Sequence, residues 1–151
     1  MAAISPEQVV GVILAGGASR RMGGGDKPLM PLAGRPLIAH VIDRLRPQVG
    51  RLLINANGDT QPFDAFGLPV VADAGDERAG PLAGILAGLT WTAAQVPGAR
   101  WIMAAPADAP FFPHDALSRF SRAVGGTRQI AVARSHGVVH GVAALFDFKF
   151  G

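Results

Sequence analysis

One apolar run, and the way it ends, constrains this chain more than any other feature. Val9-Val10-Gly11-Val12-Ile13-Leu14-Ala15 breaks off into Gly16-Gly17-Ala18-Ser19-Arg20-Arg21-Met22-Gly23-Gly24-Gly25-Asp26-Lys27. An apolar run rich in β-branched residues and without polar alternation suits a strand buried on both faces, the setting of a parallel sheet covered by helices. The stretch that follows offers bare backbone N–H groups together with Arg20, Arg21 and Lys27. Glycines let a backbone approach a ligand closely and turn with positive φ. Successive N–H groups in such a turn form a concave anion site. The ligand that chemistry asks for is a nucleotide polyphosphate. The plainer alternative is a tight turn with solvated cations at its rim.

Two familiar phosphate loops are excluded. A P-loop needs G-x-x-x-x-G-K followed by Ser or Thr, but Lys27 is followed by Pro28. The dinucleotide fingerprint G-x-G-x-x-G is met only in its first half by Gly23 and Gly25, since Pro28 stands where its third glycine belongs.

Strand-like and helix-like runs then alternate. Residues 36–45 carry Leu37, Ile38, Val41, Ile42 and Leu45 at helical spacing behind a proline suited to a first turn. Residues 51–55 and the short run 70–72 read as strands, 82–94 as a helix begun after Pro81, 100–105 as a strand and 115–124 as a helix. Residues 129–134 and 138–146 read as two final strands about a turn at His136-Gly137. The predicted fold is α/β, a Rossmann-like three-layer α/β/α arrangement around a mostly parallel sheet. Ligands of such sheets bind at the carboxyl ends of the strands. Gly16-Gly17, Asn55, Asp73 and Asp108 all fall at such ends, which points to one shared site.

Composition removes several classes. At 151 residues, 49% hydrophobic and 17% charged, the chain suits one globular domain with a substantial core. It has no cysteine, so it holds no disulfide framework, no thiolate nucleophile and no cysteine-bound metal, which fits a reducing compartment. Residues 102–112 are broken by Pro106, Asp108 and Pro110, and the N-terminus lacks a basic segment leading into an apolar one. A cytoplasmic location and no membrane partner are expected. The net charge is +3, but the only adjacent cations are Arg20-Arg21 and there is no tyrosine to stack bases, so no nucleic-acid partner is expected. His136 and His140 lack a completing ligand for zinc. Ser19, Ser118, Ser121 and Ser135 lack the setting of a nucleophile elbow.

The motifs occur in a telling order: Leu14-Ala15-Gly16-Gly17, Arg21-Met22-Gly23, Asp26-Lys27, Gly34-Arg35-Pro36-Leu37, Asn55-Ala56-Asn57, Asp73, Gly80-Pro81-Leu82-Ala83-Gly84 and Pro106-Ala107-Asp108-Ala109-Pro110. In this order and spacing the chain resembles the nucleotidyltransferases that act on the molybdenum cofactor, and among them the guanylyltransferases. The resemblance runs from residue 9 to residue 120 and fades beyond. It implies a sheet of the nucleotide-diphospho-sugar transferase type, GTP and molybdopterin as substrates, Mg2+ as metal, and transfer of GMP to molybdopterin with release of pyrophosphate. It also implies nucleotide contacts from Leu14, Ala15, Gly16, Gly17, Lys27, Asn55, Asp73, Gly80, Pro81, Leu82 and Asp108.

The chemistry of individual residues agrees. Positive charge is needed where pyrophosphate leaves, which suits Lys27 at the β- or γ-phosphate and Arg21 as a second clamp. A surface lysine, or Arg20 in place of Arg21, is the bland alternative. Asp108, on a loop after an apolar strand, suits Mg2+, a hard cation that prefers oxygen ligands; between Pro106 and Pro110 the same residue could simply form a turn. Arg21, Lys27 and Asp108 are thus the catalytic candidates, with Asp108 on the metal. Residues 80–84 offer backbone contacts to a guanine edge, or a helix-starting proline and a close-packing glycine. Both can hold.

Family members continue past this point with an N-x-N-T-P motif and closing helices. The expectation is therefore a single nucleotidyltransferase domain over residues 1–151, truncated at its C-terminus. Weak turnover alone, self-association and transient contact with cofactor-biosynthesis proteins would follow. Two other readings stay open: a related nucleotidyltransferase using another nucleotide (cytidylyl or sugar-phosphate), and a non-catalytic nucleotide-binding fragment.

Overall fold

The computed structural model describes residues 4–15, 27–73, 81–124, 130–135 and 138–147. In chain order its strands are β1 (Val9–Leu14), β2 (Pro31–Leu32), β3 (Arg35–Pro36), β4 (Arg51–Asn55), β5 (Val70–Val71), β6 (Trp101–Pro106), β7 (Ile130–Ser135) and β8 (Val138–Asp147). Its α-helices are α1 (Leu37–Leu45), α2 (Pro81–Gln95) and α3 (Ala116–Ala123). Six strands form one sheet in the order β5-β4-β1-β6-β8-β7. The pairs β1–β4, β1–β6 and β4–β5 are parallel, whereas β6–β8 and β7–β8 are antiparallel.

β1 lies in the middle of the sheet, and its residues alternate between two cores. Val9 and Ile13 join Ile38, Val41, Ile42 and Leu45 of α1 and Leu117 and Phe120 of α3 on one face. Val10 and Val12 join Leu53 and Ile102 on the other, with Leu89 and Trp91 of α2 packed against them. The connections explain this split. The crossover from β1 through α1 runs one way along the sheet, and that from β5 through α2 runs back. Crossovers of one hand going in opposite directions place their helices on opposite faces. The predicted three-layer, mostly parallel architecture is the one observed.

α2 lies unusually near the sheet. A Cβ on Gly88 would stand 2.6 Å from Val12 Cγ2, and one on Gly84 would stand 2.3 Å from Asn55 Oδ1. Glycine at these positions removes the side chains that would hold the helix away.

Two features differ from the sequence reading. Residues 31–36, Pro-Leu-Ala-Gly-Arg-Pro, form a small antiparallel ribbon, turned through Ala33 and Gly34 with φ of 53° and 80°. Two-residue strands flanked by proline carry no periodic signal. β8 also runs on to Asp147, which is buried where Arg100 donates to its Oδ2 from Nε and Nη2 at 3.2 and 2.9 Å. The predicted turn at His136-Gly137 lies outside the described residues. Among the described residues no helix is long and apolar enough to cross a membrane.

Candidate active site

The ends of four parallel strands meet along one edge of the sheet, and hydrogen bonds continue past them. Ala15 N–H donates to Asn55 O at 2.8 Å, Ala107 N–H to Leu14 O at 3.0 Å and Ala56 N–H to Val71 O at 3.2 Å. The residues just beyond β1, β4, β5 and β6 are thereby fixed side by side. The strand order also reverses at β1: β4 and β5 extend to one side of it, β6 to the other. Open α/β sheets bind ligands at such a switch point, outside the carboxyl ends.

Asp73 follows β5 and is held by two asparagines from the end of β4. Asn55 Nδ2 donates to Asp73 Oδ1 at 2.8 Å and to Val71 O at 3.0 Å. Asn57 Nδ2 donates to Asp73 Oδ2 at 3.0 Å, while Asp73 N–H donates back to Asn57 Oδ1 at 2.8 Å. A carbonyl and a carboxylate only accept, so the Asn55 amide nitrogen must face them. Asn55 is 2% exposed and both its amide hydrogens are used within the protein.

Lys27 and Asp108 meet beyond the paired ends of β1 and β6. Lys27 Nζ lies 3.3 Å from Asp108 Oδ2, with the side chains 56% and 35% exposed. Such solvated pairs contribute about 0–1 kcal/mol, so a ligand with stronger charges can separate them. Each partner stands on a braced segment. Lys27 opens a 3-10 turn, Lys27–Leu29, whose Pro28 is buried. Met30 N–H bonds back to Lys27 O at 3.1 Å, and Met30 O accepts from Leu37 N–H at 2.9 Å.

The segment after Asp108 is pinned by Phe112, which is buried, and by α1: Arg44 Nη1 donates to Phe112 O at 3.3 Å. Gln48 Nε2 donates to Pro113 O at 3.0 Å, and Gln48 Oε1 accepts from Leu117 N–H at 2.8 Å in the first turn of α3.

The donor set limits how a metal could be held. Among the described residues no group of three or more His, Asp or Glu is placed to bind one. A single half-exposed carboxylate matches a cation such as Mg2+, which keeps waters and takes one or two carboxylates plus substrate phosphates.

The expected residues divide in three. Leu14, Ala15, Asn55, Asp73 and Asp108 lie at or just beyond the strand ends, and Lys27 reaches them from its 3-10 turn through Asp108. Pro81 opens α2 and Leu82 is 71% exposed in its first turn, while Gly84 packs closely, as the proline-and-glycine reading of this motif has it. Gly16, Gly17, Arg21 and Gly80 lie outside the described residues. Asn57, Gln48 and Arg44 were not anticipated. For Asn57 a signal existed: Asn55-Ala56-Asn57 places two amides at alternate positions, on the same side of an extended segment.

Comparison with known proteins shows the family and the fold. A family model described as a MobA-like NTP transferase domain matches residues 11–147. A molybdenum cofactor guanylyltransferase of Rhodopseudomonas palustris (strain BisB5) is 56% identical over 91% of this chain and 66% of its own length. Another from Bradyrhizobium sp. (strain ORS 278) is 49% identical over 93% of this chain and 67% of its own. The chain thus spans about two thirds of the length of the curated relatives it matches. The crystal structure of Rv0371c from Mycobacterium tuberculosis H37Rv superposes with a TM-score of 0.68 at 25% identity, covering 98% of this chain and 74% of that one.

Proposed function

Because this chain belongs to the family of MobA-like NTP transferase domains, we propose that it transfers GMP from GTP to molybdopterin and releases pyrophosphate. The observation that supports this reading most is the pairing of Lys27 with Asp108 where β1 and β6 adjoin. A phosphate-seeking cation and a hard oxygen ligand, already in contact, are what a nucleotide with a divalent cation would engage together. The relatives described above, molybdenum cofactor guanylyltransferases by name, support the guanylyl and molybdenum-cofactor parts of the reading.

The attacking atom is a phosphate oxygen of molybdopterin. It is already anionic, so no residue need accept a proton and no covalent protein nucleophile is required. A bond forms from this oxygen to the α-phosphorus of GTP. The bond from that phosphorus to the oxygen bridging to the β-phosphate breaks, and its electron pair leaves with pyrophosphate. Lys27 exchanges Asp108 for phosphate oxygens and neutralises charge on the leaving group. Asp108, released from Lys27, would hold Mg2+ together with phosphate oxygens and water. When bound, the cation supplies further charge neutralisation on the transferring phosphates. Arg21 and the N–H groups of Gly16 and Gly17 are assigned to the phosphates, and Asp73 to the nucleoside portion. The braced segments of Lys27 and Asp108 contribute positioning.

Calorimetric titration of GTP, CTP, UTP and ATP, each with Mg2+, tests the reading. GTP should bind most tightly, and more tightly with the metal present than without it. Preference for UTP would replace the reading by a sugar-phosphate nucleotidyltransferase, and preference for CTP by a cytidylyltransferase.

A further inference from the structure

We propose that Asn57, together with Asn55, is a positioning residue: the two amides set the direction of the Asp73 carboxylate and so tune nucleotide affinity. This rests on the strand ends being a nucleotide site. Asp73 follows β5, a strand of two residues at the edge of the sheet, paired only through Ile54↔Val70 and Asn55↔Val71. So short an edge strand gives little hold on the residue after it. The hold comes instead from β4. Asn57 closes a ring with Asp73, accepting from its N–H and donating to its Oδ2, and one planar amide thereby fixes both the backbone and the side chain of the aspartate. Asn55 donates to the other carboxylate oxygen.

Asn55 is itself immobilised. Its second N–H goes to Val71 O, and its Oδ1 lies over Gly84, where an added Cβ would be only 2.3 Å away. With both hydrogens engaged, Asn55 has no donor left for a nucleotide, and its amide N–H groups act through Asp73 and the Val71 carbonyl. Each carboxylate oxygen has about two lone-pair sites and takes one protein side-chain N–H, so each keeps a further site for a donor of the nucleotide. A carboxylate fixed before binding loses less rotamer freedom when the ligand arrives.

The test is a double-mutant cycle on the whole 151-residue chain, read by calorimetric titration of GTP with Mg2+ and by KM and kcat for GTP. Asn57→Ala should weaken GTP about tenfold, the scale of losing one preorganised contact, and raise KM far more than it lowers kcat. Asp73→Ala should weaken GTP at least as much. The double variant should bind no more weakly than Asp73→Ala alone, because Asn57 acts only through that carboxylate. A purely structural Asn57 would lower affinity equally on both backgrounds. Such additive losses overturn the proposal, as does Asn57→Ala binding like the unaltered chain while Asp73→Ala is weakened; both outcomes leave the nucleotide site standing. Asp73→Ala binding as tightly as the unaltered chain removes the nucleotide from this strand end and the clamp with it. Should Asn57→Ala melt early, Asn57→Ser, which keeps a small polar group, carries the same cycle with the same expected non-additivity.

Discussion

At the scale of single residues, two opposite charges face each other before any ligand arrives. Lys27 and Asp108 are far apart in sequence, and their roles can be read there only separately. The structure brings them to 3.3 Å. The pairing keeps the two groups near each other without locking them, since a half-solvated pair is easily exchanged. Lys27→Ala should reduce guanylyl transfer on the order of a hundredfold, as for removal of other electrostatic stabilisers. Folding stability should change by only about 0.5 kcal/mol, as for ordinary surface substitutions. Turnover assays and thermal denaturation check both halves, and near-normal turnover would remove Lys27 from the phosphates. Asp108→Asn should shift the Mg2+ dependence of transfer to much higher metal concentration while retaining much of the affinity for GTP. A Mg2+ titration identical to that of the unaltered chain would take Asp108 out of the metal site.

At the scale of elements, the site depends on how closely α2 and α3 are seated. Gly84→Ala would put a methyl 2.3 Å from Asn55 Oδ1 and 2.8 Å from Leu14 Cδ2. Overpacking of this kind costs about 1–3 kcal/mol, and the displaced Asn55 should also weaken GTP binding. Gly98→Ala is the control, since its Cβ would meet nothing within 4 Å. Urea denaturation of the two variants should separate them clearly, and equal stabilities would contradict the close seating of α2. Gln48→Ala removes the acceptor for Leu117 N–H and the donor to Pro113 O, which should cost about 1–3 kcal/mol. It should also loosen the segment carrying Asp108, raising the Mg2+ needed for half-maximal transfer; an unaltered metal requirement would uncouple the brace from the site. The elements themselves were largely legible. β1, β4, β6, α1 and α2 lie within a residue or so of their predicted bounds, because apolar runs and a 3.6-residue spacing mark buried strands and amphipathic helices directly. The β2–β3 ribbon was not legible, being too short for any period. The strand-end location of Asn55, Asp73 and Asp108 could be read because each follows an apolar run. The partners of those residues could not: Asn57 against Asp73, Gln48 against Leu117 and Lys27 against Asp108 are contacts between segments distant in sequence. Only the three-dimensional path brings them together.

At the scale of the whole molecule, the position of the site follows from connectivity. β1 lies at the centre, the chain leaves it toward β4 and β5, then returns across it to β6. That reversal opens the crevice at the carboxyl ends and places α1 and α3 on one face and α2 on the other. The ends of β1 and β6, joined by Ala107 N–H to Leu14 O, therefore border the same opening. Among the described residues the fold brings Lys27, Asp108 and the oriented Asp73 carboxylate to that opening, the groups on which the proposed transfer rests. The most direct measurement is transfer itself. The chain is incubated with molybdopterin, Mg2+ and GTP labelled at the α-phosphate, and the label and pyrophosphate are followed together. The account predicts that label enters a molybdopterin–guanine dinucleotide with one pyrophosphate released for each transfer, and that both stop when the metal is withheld. Label that stays in GTP with all components saturating, or that is released as GMP without joining molybdopterin, would contradict it.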